Sequence, residues 1–327
     1  MSNINSVASL KHFQIKGNQS PSNGQTCQLY KNGHQQFVVT IVIDAVDDDG
    51  NTIQLPMETL KTVELIRYDS GQSLNDIFSR SYTWSGYAYF PEDVLHGIEP
   101  YHKSMSVIDF WVSASSKTSL PSVQVAAKIT LNGVTYTTNN ANVDPGGKID
   151  NNGHSNSWVQ VIFKQPYQFK AGHFQITDRG RIVGGYDSDR LFIRTLKIWE
   201  IRLINENYKI YGSSIADTKP IPWFSQHVRQ IQDINTCQWA LPVRRKQQDA
   251  KVYLGWHKDG RSDNHNDCHI EPYREDGVAY AVIELSHLIQ THHYTATDII
   301  YIDQYGCEHP IILRPNNNGT TLQIDDR

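Results

Sequence analysis

Lys128-Ile129-Thr130-Leu131-Asn132-Gly133-Val134-Thr135-Tyr136-Thr137-Thr138 is two alternating, β-branched runs joined by an Asn-Gly pair. Both turn residues of a type I′ hairpin need positive φ, and Asn and Gly tolerate it, so the stretch predicts a β-hairpin. The same grammar recurs upstream. Phe37 to Val46 (FVVTIVIDAV) runs into the turn cluster Asp47-Asp48-Asp49-Gly50-Asn51, and alternation resumes at Thr52-Ile53-Gln54-Leu55 until Pro56. Val63 to Tyr68, Ser81 to Phe90 and Ser106 to Ala114 read as further strands, and Val123 to Ala127 leads into the hairpin. About seven strands within roughly 115 residues is the density of an antiparallel sandwich.

Asn139 to Ser157 breaks this pattern: nineteen residues carry six Asn and three Gly and almost nothing apolar. It reads as an interdomain linker or one long loop. Strands return at Trp158 to Lys164, Tyr167 to Thr177, Leu191 to Ile204, Tyr208 to Tyr211, Val252 to Trp256, Val278 to Leu285, Asp298 to Asp303 and Ile311 to Arg314. Only Phe224 to Ile234 and Leu285 to Gln290 have a spacing that could hold helical turns. The expected architecture is all-β: tandem antiparallel β-sandwiches of immunoglobulin-like strand density, with little helix. The Cys…Trp…Cys spacing of true immunoglobulin domains is absent, so no membership of that family follows. The expected organisation is a flexible polar tail over 1–25, a first sandwich over 26–140, a linker over 141–157 and a second sandwich over 158–327. A further cut is conceivable at 212–222.

Composition removes several classes. The 327 residues are 39% hydrophobic and 20% charged with net charge −4. That is too apolar for a disordered chain, and no 18-residue apolar run is present to cross a bilayer as a helix. The acidic balance argues against sequence-independent nucleic-acid binding. Residues 1–26 hold no apolar stretch of signal-peptide length, so the expectation is cytoplasmic synthesis, with signal-independent release left open. Cys27, Cys237, Cys268 and Cys307 are too few and too scattered for a disulfide scaffold, though one or two bridges are compatible with their number if the protein works outside the cell.

Residues that bear chemistry give weaker patterns. With Gly50 at position 6 of an EF-hand frame, Asp47 and Asp49 fall at 3 and 5, but Ala45 and Pro56 occupy 1 and 12. The calcium motif therefore fails. Asp144, Asp150, Asn152 and Asn156 supply oxygens but only two carboxylates. The densest metal-capable stretch, His257 to Glu271, offers His257, His265, Cys268 and His269 as zinc ligands in a spacing that matches no finger or zincin pattern. No nucleophile elbow, P-loop or dinucleotide fingerprint is present. No cofactor is expected, zinc or calcium being the lesser alternatives, and an enzyme is the lesser expectation.

The aromatic inventory is the most suggestive feature: 17 Tyr, 7 Trp and 10 Phe. In Tyr82-Thr83-Trp84-Ser85-Gly86-Tyr87-Ala88-Tyr89-Phe90, strand alternation places Tyr82 and Trp84 on one face and Tyr87 and Tyr89 on the other. One face would be core and the other a binding surface, since Tyr and Trp present a flat apolar face with a polar tip. The leading expectation is a non-enzymatic binding or assembly protein that engages a protein or glycan surface, with homo-oligomers compatible. A soluble toxin or effector acting on a host membrane or receptor comes second, and a metal-dependent hydrolase built on residues 257–271 third. Half of the fourteen histidines lie from His257 onward, and any that are buried and neutral would couple stability to pH.

Overall fold

Seven of the ten residues from Phe37 to Val46 are β-branched, and the segment is a strand buried on both faces except at Asp44. The computed structural model describes residues 7–18, 26–87, 105–183, 195–214, 221–225, 235–240, 250–253, 267–270, 277–286, 297–315 and 321–327. The described residues are mostly β-strand with almost no helix, in several antiparallel sheets, and the chain divides into two compact units, residues 1–166 and 167–327.

The first unit contains β1 (Ser9–Asn18), β2 (Thr26–Tyr30), β3 (Phe37–Val46), β4 (Thr52–Ile53), the one-turn helix α1 (Met57–Leu60), β5 (Glu64–Arg67), β6 (Phe78–Ser81), β7 (Ser106–Ala114), β8 (Ser122–Leu131), β9 (Val134–Thr137) and β10 (Val159–Lys164). One sheet runs β1-β3-β7-β6, with β4 on β3; the other runs β2-β10-β8-β5, with β9 on β8. This is the A-B-E-D and C-F-G pairing order of an immunoglobulin sandwich. β2 joins β10 in parallel, whereas the unit's other described ladders are antiparallel. Phe13, Ile15, Val39, Ile41, Phe110 and Val112 from one sheet share a core with Leu29, Leu65, Val125, Ile129, Val159 and Val161 from the other. Each such burial contributes about 1.5–3 kcal/mol. The Asn-Gly hairpin forms between β8 and β9, with φ of 47° at Asn132 and 82° at Gly133.

Three boundaries differ from the sequence reading. Residues 9–18, placed in the polar tail, form β1 and pair along nearly the whole of β3. Their alternation, Phe13 and Ile15 in against His12, Gln14 and Lys16 out, is interrupted by an irregularity between Leu10 and His12. The segment 141–157 is part of this unit. The N–H of Phe13 donates to the Gly147 carbonyl and that of Ile149 to Lys11, while Ser155 and Ser157 hydroxyls bond the backbone of Phe13 and Ile15. It closes the free edge of β1, where unpaired backbone groups would otherwise invite a foreign strand. Finally, β10 pairs with β8 and β2, so residues 158–166 belong to the first unit.

The second unit contains β11 (Phe174–Val183), β12 (Thr195–Leu203), β13 (Ile210–Ser213), β14 (Ile221–Ser225), β15 (Asn235–Ala240), β16 (Ala250–Tyr253), β17 (Asp267–Ile270), β18 (Ala279–Ser286), β19 (Thr297–Asp303), β20 (Glu308–Pro315) and β21 (Leu322–Asp326). One sheet runs β11-β12-β18-β15-β14 and the other β13-β19-β20-β21, with β16 and β17 as a separate pair. Phe174, Trp199, Ile201, Ala279 and Ala281 from the first pack with Ile210, Ile299, Tyr301, Ile311 and Leu313 from the second. Residues 167–173, read as strand, instead approach β11 through a single 3-10 turn at Ala171–His173. Phe224 and Ser225, read as the start of a helix, lie in β14. The proposed cut at 212–222 falls inside the second unit, where β13 and β14 each join one of its sheets.

Candidate binding surface

The aromatic segment is positioned by the end of β6. The strand stops at Ser81, whose hydroxyl oxygen accepts the Thr83 N–H at 3.0 Å, a local bond that competes with the ladder. The chain then folds against the β2–β3 connection. Ser85 N–H donates to Gln36 Oε1 at 2.6 Å, the Ser85 hydroxyl donates to the His34 carbonyl at 2.8 Å, and Gln36 N–H donates to the Tyr87 carbonyl at 2.9 Å. Gly86 permits this path at φ 91°, a left-handed value that disfavours a side chain.

Because 82–87 is not strand, its aromatics do not alternate as the sequence suggested. Trp84 stacks on Trp111 of β7, with centroids 6.0 Å apart and planes 28° apart, and its Nε1 donates to the Tyr87 carbonyl at 3.4 Å. Trp111 lies opposite Val38 on β3, on the face of the sheet turned away from the core that holds its neighbours Phe110 and Val112. Tyr87 meets His34 edge to face at 6.1 Å. Trp84, Trp111, Tyr87 and His34 are all half-buried. Tyr82 goes elsewhere: its ring lies 5.8 Å from that of core residue Phe110, with Lys61 Nζ 5.5 Å above it. It remains 52% exposed at the sandwich rim. Tyr82 and Trp84 therefore do not share a face, while Trp84 and Tyr87 do come together. Tyr89 lies outside the described residues. Trp111 and His34 were missed in sequence because they come from other strands and loops.

The metal candidates fare differently. His257 and His265 lie outside the described residues. Cys268 and His269 are neighbours in β17, opposite Val252 and Lys251 of β16. Among the described residues no three His, Cys, Asp or Glu side chains converge as a metal site. The oxygens weighed for calcium serve turns. Asp47 accepts the Asn51 N–H, and Asp150 accepts those of Asn152 and His154. These backbone bonds hold both carboxyls below the usual range. Asn156 bonds the Tyr68 hydroxyl and the Val143 carbonyl.

A polar cluster that the sequence reading did not single out lies inside the second unit. Asp303 and His309 are fully buried. Asp303 Oδ1 accepts the N–H groups of Tyr305 and Cys307, both at 2.9 Å. Its Oδ2 accepts the Tyr167 hydroxyl at 2.5 Å and faces His309 Nε2 at 3.2 Å. The Phe169 N–H donates to His309 Nδ1 at 3.0 Å, which fixes the imidazole as the Nε2–H tautomer. Burial, then the Asp303 charge, push the Tyr167 phenol far upward. The Tyr167, Phe169 and Tyr208 rings pack against one another with centroids 5.0–5.3 Å apart. Cys27 and Cys307 are buried, and burial pushes the Cys27 thiol up to about 12. No described helix is long and apolar enough to cross a membrane.

No protein-family model matches the sequence, and no curated protein matches it. Among solved structures the chain is similar to the C-terminal domain of the Streptococcus agalactiae antigen I/II polypeptide BspA, at 9% identity over 96% of this chain and 100% of that one, with a TM-score of 0.23. It is also similar to the C-terminal domain of the Streptococcus pyogenes antigen I/II-family protein AspA, at 7% identity over 98% and 100%, with a TM-score of 0.24. Superposition at that level does not bear on function.

Proposed function

We propose that the protein is a non-enzymatic binding protein whose first unit engages a protein or glycan surface through Trp84, Trp111 and Tyr87. The observation that carries this reading is the Trp84–Trp111 stack on the face of the sheet turned away from the core. A packed indole pair is rigid before any ligand arrives, so binding costs little side-chain entropy. Indole and phenol rings also combine a broad apolar face with a polar tip, which suits sugar rings and protein hot spots alike. The test is to screen the full chain, wild type and Trp84→Ala, against an oligosaccharide array and a protein array. The reading expects at least one bound class to be lost, by tenfold or more, in the variant, with circular dichroism unchanged. Identical binding profiles would overturn it.

A further inference from the structure

The Asp303–His309 cluster has one geometric property that the binding reading does not use. Two of its hydrogen bonds reach outside the β19–β20 hairpin, and both go to the segment through which the chain passes from β10 into the second unit. Tyr167 bonds Asp303 through its hydroxyl, and Phe169 bonds His309 through its backbone N–H. The first bond survives any charge state of the imidazole. The second does not, because Nδ1 accepts only while it carries no proton.

We propose that His309 is a pH-operated latch on residues 168–170. With neutral imidazole, Nδ1 holds the Phe169 N–H. When a proton adds to Nδ1, two donors face each other and that bond breaks. The new charge meanwhile lies against the Asp303 carboxylate at Nε2, so the hairpin keeps its internal pairing while the segment lets go. Among the described groups around the imidazole Asp303 supplies the charge, and the β19 residue paired opposite His309 is Tyr301, a buried phenol. Tyr167 shares the Asp303 Oδ2, and the Cys307 thiol and the Tyr208 and Tyr305 phenols lie beyond Tyr167 and the turn. The His173 ring lies 5.3 Å from that of Phe169, tilted by 37°, and its Nδ1 accepts the Lys170 N–H. From β11, Phe174 presents only a ring edge.

The test measures amide exchange in the full chain, corrected for intrinsic rates, from pH 7.5 to 5, beside the 15N shifts of the His309 ring. The latch predicts Nδ1 unprotonated at pH 7.5. Protection of the Phe169 amide should then fall roughly two- to tenfold, the worth of one hydrogen bond, in step with ring protonation. The Tyr305 and Cys307 amides, held by Asp303 Oδ1, should not change. His309→Asn keeps an acceptor near Nδ1 and cannot titrate, so its Phe169 protection should be flat with pH. Protonation of the ring without loss of Phe169 protection overturns the proposal, as does an Nδ1–H tautomer at pH 7.5 or a ring that stays neutral to pH 5. Should the variant not fold, the two wild-type signals decide alone.

Discussion

Gly17 of β1 and Val159 of β10 meet across the first sandwich so closely that a Cβ on Gly17 would lie 2.6 Å from Val159 Cγ1 and 2.9 Å from Cys27 Sγ. Only glycine lets the two sheets approach this far. Overpacking a close-packed interior costs about 1–3 kcal/mol, so Gly17→Ala should lower stability by that amount in denaturant titrations. Val159→Ala should cost stability by opening a void, yet the double variant should lose less than the sum of the two losses, since each change relieves the other. Strict additivity would show that the two residues do not meet.

Phe13 is fully buried in the same core. Phe13→Ala should cost about 3–5 kcal/mol, and deletion of residues 1–18 should abolish cooperative unfolding of the first unit, because β3 would lose a whole ladder. Calorimetry of the full chain and of the deletion checks this. An unchanged melting profile would return residues 9–18 to the status of a tail.

Much of the fold was legible because it is written in local chemistry. Phe37–Val46 and Ser106–Ala114 coincide with β3 and β7, since β-branched runs leave the backbone few alternatives. Asn132-Gly133 dictated its hairpin through φ alone. What composition could not show is order imposed from a distance. β1 has an irregular register and polar flanks, and residues 141–157 are held by backbone bonds to that strand. The Trp84 platform was half legible. Its aromatics were visible, but their faces were misassigned because Ser81 and Gly86 end the strand, and its partner Trp111 lies 27 residues away on β7. The Asp303–His309 pair was silent, since a buried carboxylate and a surface one look alike in sequence.

His12 gives a pH prediction with a defined sign. Burial pushes its pKa down, and the bond to Gln14 and the charge of Asp44 offset this only in part. The unfolded chain, with a histidine value near 6.5, therefore binds more protons than the folded one at mildly acidic pH. Stability from His12 is complete above that value and declines as pH falls below it, toward the depressed folded value. Melting temperature should drop between pH 7 and 5, and His12→Gln should shallow that slope. Superimposable slopes would remove His12 from the account.

Glu200 predicts a transition at lower pH. It is buried on β12, and burial alone would raise its pKa. Hydrogen bonds and charge from Arg179 and Arg202 outweigh that and leave it below the usual range. Its contribution is present above the unfolded value near 4.3 and is lost as pH falls through the folded one. Glu200→Gln should destabilise the second unit by about 1–2 kcal/mol at pH 7, less than a fully buried pair would because both arginines reach solvent. The difference from wild type should shrink toward pH 3. A gap that persists undiminished at pH 3 would mean that Glu200 acts through packing.

The most direct measurement uses the seven tryptophans as reporters. With 5-fluorotryptophan incorporated throughout, each resonance is assigned by single Trp→Phe variants, and the full chain is titrated with whichever oligosaccharide or protein its arrays identify. The account predicts that Trp84 and Trp111 shift together and saturate with one affinity, while Trp158 and Trp199 remain in place. Saturable shifts at other tryptophans, with Trp84 and Trp111 unmoved, would contradict it.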